Sequence, residues 1–279
     1  MNCRLGSLVG GFLALFSVPL IASSAAGYLI GVPVGFTPGT APLVKIDPVS
    51  GVYTTLSTFG NSYHALAQNS QGELFGGYFS TTTDQGRVAR IDPLTGAPLQ
   101  VFTTVTPGAG GIRGLAFDAS DRLLAVVNRD DQSGSPTIND DLYEINLAAQ
   151  TTSLIGSLNF MRVQGLDVTP DGTVYAWDVG AGLLRVNPTT GAATDVNPAL
   201  AGSGAIQSIV FAPDGRLFGA GTALFSINPA TGAFAQIGPG GGPDLRGIEW
   251  VVPEPSTALL SMFASCLLFQ FRRGRGRAA

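Results

Sequence analysis

An internal repeat covers most of the chain and restricts the folds that it can adopt. Five segments consist of an apolar residue followed by Asp or Asn, and four of them continue Pro-x-Ser/Thr-Gly. They begin at residues 46, 91, 145, 186 and 227, with spacings of 45, 54, 41 and 41 residues. Asp or Asn bonds forward to the backbone, Pro presets φ and Gly accepts a positive φ, so each copy predicts a hairpin turn. A period of this length indicates radial blades or solenoid coils.

Short β-rich strands fill each repeat. One apolar strand leads into every hairpin turn, as in residues 43–46 and 224–227. A second strand lies upstream and follows a turn such as Pro170-Asp171-Gly172, and a third, such as residues 165–168, comes before that turn. With the returning arm of the hairpin this makes four strands per unit, which is typical of a β-propeller blade.

The two ends of the repeat region predict how the ring closes. The region opens at residues 28–31 with a strand of the second type, so its first blade lacks the inner strand that should come before it. The region ends at residues 247–251 with an inner strand that has no blade of its own. Pairing these pieces in one sheet gives five complete blades and removes exposed sheet edges. We therefore expect an all-β, five-bladed propeller over residues 27–252. An open solenoid is the alternative, although neither end has a polar cap.

The first 26 residues have the layout of a secretory signal peptide. One basic residue, Arg4, precedes an apolar stretch over residues 8–21, and small residues follow up to Ala26. A permanent anchor is the alternative interpretation, but the run is short for a bilayer core about 30 Å thick.

The last 27 residues, 253–279, combine three elements in a fixed order. Pro253-Glu254-Pro255 comes first, then an apolar run over residues 258–271, then a cluster of four arginines. The arginines favour the cytoplasmic side of a membrane. This arrangement resembles the PEP-CTERM sorting tail of exported bacterial proteins, which an exosortase recognises. The resemblance implies a short transmembrane helix, transient anchoring, an exosortase and export machinery as partners, and a role with exopolysaccharide or biofilm.

The repeats themselves resemble exported propeller repeats of the YVTN and NHL-like kind, through the Ile-Asp-Pro-x-Thr-Gly and Pro-Asp-Gly segments. This resemblance implies the fold but lends no single function, because members of that group differ widely.

The composition of residues 27–255 excludes several function classes. They contain no cysteine, so no disulfide forms there, and ten basic residues stand against all 19 acidic ones, a net charge of −9. Such a surface suits nucleic acid poorly, because binding to phosphate depends on basic side chains. The only histidine is His64 and the only lysine is Lys45, and there is no Gly-x-Ser-x-Gly segment. We therefore expect no enzyme and no cofactor; the alternative is a metal-dependent hydrolase or lyase at the channel mouth.

Five polar residues occupy the same position before the inner strands and are the candidate ligand-binding set: His64, Arg113, Gln164, Gln207 and Arg246. Fivefold pseudo-symmetry would arrange them as a ring at one mouth of the channel. Two arginines there suit a carboxylate or a sugar. In the other interpretation, these side chains bond loop carbonyls and are solvated.

A long acidic connection over residues 128–141 explains the 54-residue spacing and is the candidate metal site. Its carboxylates are Asp130, Asp131, Asp140 and Asp141, and oxygen ligands of this kind suit Ca²⁺. A solvated loop is the other interpretation. Taken together, the sequence predicts a secreted or cell-envelope propeller that binds a glycan or a surface protein.

Overall fold

The computed structural model describes residues 27–37, 39–80, 85–106, 111–129 and 137–252. They form twenty β-strands in five sheets of four antiparallel strands, and no helix occurs among them. The prediction of an all-β, five-bladed propeller is confirmed. Within these residues no helix is long and apolar enough to cross a membrane. The predicted signal peptide and the sorting tail with its helix lie outside the described residues.

Blade 1 is the closing blade, and blade 2 follows it along the chain. Blade 1 contains β1 (Tyr28–Pro33), β2 (Ala41–Ile46), β3 (Tyr53–Gly60) and β20 (Leu245–Val251). Blade 2 contains β4 (Ala65–Gln68), β5 (Leu74–Ser80), β6 (Gln85–Ile91) and β7 (Pro98–Thr106).

The other three blades follow in chain order. Blade 3 contains β8 (Ile112–Phe117), β9 (Leu123–Val127), β10 (Asp141–Asn146) and β11 (Thr151–Ser157). Blade 4 contains β12 (Val163–Val168), β13 (Val174–Asp178), β14 (Gly182–Val186) and β15 (Ala193–Asp195). Blade 5 contains β16 (Ser208–Phe211), β17 (Leu217–Ala220), β18 (Leu224–Ile227) and β19 (Phe234–Ile237).

The ring closes through β20, which joins the sheet of β1 as predicted. Tyr28 pairs with Val251 and Gly31 pairs with Ile248 in an antiparallel register. The last described strand thus supplies the inner strand of the first blade. In this way all five sheets have four strands and both ends of the ring are paired.

The hairpin turns have the chemistry expected of the repeat. In the first copy, Asp47 Oδ1 accepts hydrogen bonds from the backbone N–H groups of Val49 (2.8 Å) and Ser50 (3.0 Å). Gly51 closes the turn with φ of 68°. Burial is concentrated between blades, where branched aliphatic side chains pack with a few large rings such as Trp177, which is 0% exposed. The repeats therefore specify turns at the rim and apolar faces between the sheets.

The five inner strands, β4, β8, β12, β16 and β20, are neighbours around the channel. Small residues allow this close approach, and they share one position of the repeat: Ala65, Gly114, Gly165, Ser208 and Gly247. A Cβ atom at Gly165 would lie 2.8 Å from the backbone nitrogen of Ile209 and 3.1 Å from the Cα of Ser208. Since both contacts are with backbone, β12 and β16 would have to move apart.

We expect Gly165→Ala to lower the free energy of unfolding by about 1–3 kcal/mol, the usual cost of overpacking a tight core. Gly204→Ala is the matched control, because its added Cβ would only approach the Val179 side chain at 3.5 Å. That change should stay within about 0.5 kcal/mol of the parent. Urea unfolding of both variants measures the difference, and equal effects would show that inner-strand spacing does not limit stability.

Candidate functional site

The channel has two mouths, one at each end of the inner strands. The upper mouth is at their N-terminal ends and carries the five predicted polar residues, each of them half-buried: His64, Arg113, Gln164, Gln207 and Arg246. Their common position follows from the repeat, because each residue lies one place before the small residue that packs against the next inner strand. The geometry thus gathers one residue from every blade.

His64 and Arg113 make the direct contact of the upper mouth. The Nη1 atom of Arg113 lies 2.7 Å from Nδ1 of His64, although the residues are 49 positions apart in the chain. A guanidinium group has only donors, so Nδ1 must accept this hydrogen bond. The proton of the neutral ring is then on Nε2, which makes His64 a second donor at the mouth.

The positive charges of the upper mouth act on one another. Burial, followed by the charges of Arg113 and Arg246, lowers the pKa of His64 to about 3. Burial and the charge of Arg246 also lower the pKa of Arg113 to about 10. His64 is therefore neutral at physiological pH, and Arg113 keeps its charge in a place where a positive charge is disfavoured.

The two arginines differ in their partners. Arg246 forms a forked ion pair with Asp244, through Nη2 at 2.9 Å and Nε at 3.1 Å. The Nε atom of Arg113 is buried and has no hydrogen-bond partner among the described residues. Arg113 is therefore the less satisfied of the two guanidinium groups, and a movement of its side chain that uncovers Nε would give an incoming anion a further donor.

The two glutamines do not join this contact. The side chain of Gln207 donates to the backbone carbonyl of Gly204 in its own loop. Gln164 is half-buried at the equivalent position of blade 4. The structure thus brings His64, Arg113 and Arg246 within electrostatic reach of one another, whereas Gln207 fits the alternative in which the side chain bonds a loop carbonyl.

Asp140 contributes a buried carboxyl group near these charges. The residue is 0% exposed, and its Oδ2 accepts a hydrogen bond of 2.8 Å from the N–H of Val163. Its Oδ1 accepts no hydrogen bond of normal geometry from the part of the chain that the structure describes. Burial raises the pKa of Asp140 to about 7, against the opposing effects of the Val163 and Arg129 backbone and of Arg113. Asp140 was expected to be a calcium ligand, and sequence gave no sign of its burial.

The predicted calcium loop is only partly described, because Asp130 and Asp131 lie outside the described residues. Asp141 pairs with Arg129 at 3.2 Å, and Asp140 is bound to Val163 as above. Within the described residues no group of three His, Cys, Asp or Glu side chains is arranged to hold a metal ion. Calcium binding by the four aspartates stays a prediction.

The lower mouth, at the C-terminal ends of the inner strands, holds two carboxyl groups that were not among the predicted site residues. A cavity of about 260 Å³ is lined from all five inner strands and includes Asp167, Glu249 and Trp250. Asp167 accepts a hydrogen bond from the N–H of Phe211 in the next blade. Burial raises the pKa of both carboxyl groups, and the Asp167 charge adds to the effect on Glu249. An acidic residue at an otherwise apolar strand position was the available sequence signal.

Comparison with known proteins supports the fold. No protein-family profile and no curated protein sequence matches the chain. Among solved structures, a nidogen/laminin complex matches 80% of this chain and 85% of the other chain, with 16% identity and a TM-score of 0.50. A PQQ-bound aldose sugar dehydrogenase from Streptomyces coelicolor covers 80% and 84%, with 16% identity and a TM-score of 0.47. A gluconolactonase from Xanthomonas campestris covers 78% of each chain, with 13% identity and a TM-score of 0.48.

These matches correct one expectation. The composition predicted no enzyme, and this prediction is wrong, because two of the matched structures are named as enzymes. The expectation of no cofactor likewise has no support, since one of these two structures is described as PQQ-bound. At this level of identity the likeness shows the fold alone, so any activity has to be argued from the residues of the site.

The raised pKa of Asp140 predicts a pH effect on stability. The folded state keeps this proton up to about pH 7, whereas the unfolded state loses it near the ordinary value of 3.8. Stability contributed by this group therefore falls as pH rises between these values, by up to about 1.4 kcal/mol per pH unit. His64, with its lowered pKa, acts in the opposite direction below pH 6.5, so the difference between variants is the useful quantity.

We expect Asp140→Asn to become steadily more stable relative to the parent as pH rises from 4 to 7. Asn can still accept the hydrogen bond from Val163, so the change removes the titration and keeps the contact. Urea unfolding at each pH measures the difference. A difference that stays constant with pH would show that Asp140 is ionised in the folded protein.

Proposed function

We propose that this chain is an exported propeller that binds a carboxylate-bearing ligand, such as an acidic carbohydrate, at the upper mouth. The observation that carries the proposal is Arg113, a half-buried guanidinium beside a second arginine, with Nε unpartnered among the described residues. A carboxylate bound there would offset the repulsion between Arg113 and Arg246, and a movement of the Arg113 side chain would present Nε to it as a donor.

Selectivity follows from the surrounding charge. Residues 27–255 carry a net charge of −9, whereas Arg113 forms no ion pair among the described residues and is a local positive charge on this acidic body. An anion is drawn to this place and repelled elsewhere, and added salt weakens both effects. Neutral His64 adds a donor, Nε2–H, without adding charge, which suits a ligand that carries hydroxyl groups beside its carboxylate.

A second candidate function is hydrolysis or elimination at the same mouth. The observation that favours it is Asp140, the buried carboxyl group within electrostatic reach of Arg113. The pKa of Asp140, about 7, suits proton transfer near neutral pH. An arginine that neutralises a carboxylate also makes the neighbouring C–H bond more acidic. Catalysis would require ligand binding to bring Asp140 into contact with the substrate.

A binding and turnover assay tests both functions. We expect oligogalacturonate to bind the protein in calorimetry, more weakly at 0.5 M NaCl, and the matched neutral galactose oligomer not to bind. An unsaturated product absorbing in the ultraviolet would indicate elimination, and new reducing ends would indicate hydrolysis. Repeating the assay with a chelator separates metal-dependent from metal-independent turnover. Equal binding of the neutral oligomer would contradict the carboxylate proposal.

Export and sorting are supported by the order of the sequence segments alone. The amino-terminal 26 residues and the Pro253-Glu254-Pro255 tail flank a propeller whose last strand ends at Val251. We propose that an exosortase handles the tail and that the body acts in the cell envelope or the extracellular matrix.

Deleting residues 253–279 should release folded protein into the medium, because no described strand extends beyond Val251. Cell fractionation and circular dichroism of the released protein measure the result. The matched control is the double substitution Pro253→Ala and Pro255→Ala, which leaves the apolar run intact. This variant should stay in the membrane fraction. Misfolding of the shortened chain would show that the propeller requires residues beyond Val252.

A further inference from the structure

A groove at the junction of blades 1 and 2 opens beside the place where the described chain ends. It has a volume of about 440 Å³, and its walls include Tyr28 and Val252 from blade 1 and Gln68, Arg90, Leu94 and Leu99 from blade 2. We call it the junction groove. It lies apart from the upper mouth, on the side where the inner strands end.

The backbone of Val252 is fixed at one end of the junction groove. Its N–H donates to Oε1 of Gln68 at 3.0 Å, and its carbonyl accepts from Nε2 of the same side chain at 3.5 Å. The same Nε2 donates to the carbonyl of Gly72 at 2.9 Å, so the Gln68 carboxamide holds Val252 mainly through its N–H. Because Val252 also lines the groove, the described part of the chain ends inside it.

The walls of the junction groove expose apolar side chains. Leu94 is 68% exposed, Leu99 is 59% exposed and Val252 is 40% exposed. The groove between blades 5 and 1 also has apolar walls, such as Phe218 and Ile237, but the exposed side chains at its rim include the ion pair of Asp214 and Arg216. What distinguishes the junction groove is the pair of exposed leucines beside the last described residue.

Arg90 supplies the charged part of the junction groove. Its Nη1 pairs with Glu73 at 2.6 Å, whereas its Nε is buried and has no hydrogen-bond partner among the described residues. Two residues beyond Val252 the chain carries Glu254, between two prolines. The carboxylate of Glu254 and the Arg90 guanidinium have opposite charges, and a movement of Arg90 that uncovers Nε would make them complementary.

We propose that the junction groove binds Pro253-Glu254-Pro255 of the same chain, with the prolines against Leu94 and Leu99 and Glu254 near Arg90. Proline has no N–H group and favours an extended backbone, so such a segment docks through its side chains and needs no strand partner. The propeller would then hold the segment that resembles a sorting signal, and a processing enzyme would have to draw it out of the groove. The proposal is independent of ligand binding at the upper mouth.

Engineered cysteine pairs test the docking, because residues 27–255 contain no cysteine of their own. The test uses the full chain with Cys3→Ser and Cys266→Ser, and adds Leu94→Cys together with Ser256→Cys. The control pair is Val49→Cys with Ser256→Cys. Val49 occupies the equivalent turn of blade 1 and is 81% exposed, so it is as accessible as Leu94 but lies outside the groove.

We expect the Leu94 pair to form an intramolecular disulfide at least about tenfold faster than the Val49 pair, since docking raises the local concentration of the two thiols. Adding Arg90→Gln should reduce this ratio. Mild oxidation followed by mass spectrometry of the linked peptides measures the rates. Equal rates, or no disulfide in either protein, would overturn the proposal. Disulfide-linked dimers alone would also overturn it and would assign the groove to a second copy of the chain.

Discussion

Replacing Arg113 and Arg246 together by Ala should raise the dissociation constant for an acidic oligosaccharide at least about 100-fold. A hydrogen bond to a charged partner contributes roughly 1.5–3 kcal/mol, and two such partners are lost. The remaining weak binding should also lose most of its dependence on salt, because the positive charge responsible for that dependence is gone. Calorimetry at two salt concentrations measures both effects.

The single histidine provides a second readout of the same change. The charges of Arg113 and Arg246 both lower the pKa of His64, so the double variant should titrate at a higher pH than the parent. Because the chain contains only one His, its ring resonances in an NMR titration need no assignment by mutation. A rise in the His64 pKa would confirm that the two guanidinium groups act on one site.

The matched control replaces Arg185 in blade 4 and Arg216 in blade 5, both of them exposed, by Ala. Arg216 pairs with the exposed Asp214, and Arg185 contacts the ring of Tyr175. This variant loses the same formal charge away from the mouth, so ligand affinity should change by less than about threefold. If binding survives in the upper-mouth variant while several kcal/mol of stability are lost, the two arginines are structural and the ligand proposal is wrong.

Ending the chain at Asp244 should abolish folding, whereas ending it at Val252 should leave the propeller intact. The shorter chain lacks β20, so β1 loses its partner from Tyr28 to Pro33 and blade 1 keeps three strands. The inner strands of blades 5 and 2 would then lose the strand between them. Apolar side chains at this junction, such as Ile248 at 1% exposed, would leave a gap that water enters.

Circular dichroism and urea unfolding of the two chains measure this effect. The Val252 chain should unfold in one cooperative transition, and the Asp244 chain should show no such transition at 25 °C. Supplying residues 245–252 as a separate peptide should partly restore the signal, because the missing strand binds an exposed edge. A cooperative transition in the Asp244 chain without the peptide would show that ring closure contributes little to stability.

The sequence by itself determined the number of blades and the way in which the ring closes. Four of the five hairpins are encoded within about six residues, where Asp or Asn, Pro and Gly each act on the neighbouring backbone. The strand left unpaired at each end, residues 28–31 and 247–251, then required one shared sheet. These features depend on local turn chemistry and on a count, so a repeated sequence shows them directly.

Only the tertiary structure decided which polar groups meet. Arg113 and His64 are 49 residues apart, and they touch because β4 and β8 are neighbours around the channel and small residues let the strands approach. Asp140 belongs to a loop that the sequence assigned to calcium, yet burial gives it a pKa of about 7. In the sequence, Asp167 and Glu249 are isolated acidic residues in two different strands. Burial at the lower mouth raises the pKa of both. Burial and charge spacing depend on how the blades pack around the channel, and no local pattern in the repeat encodes them.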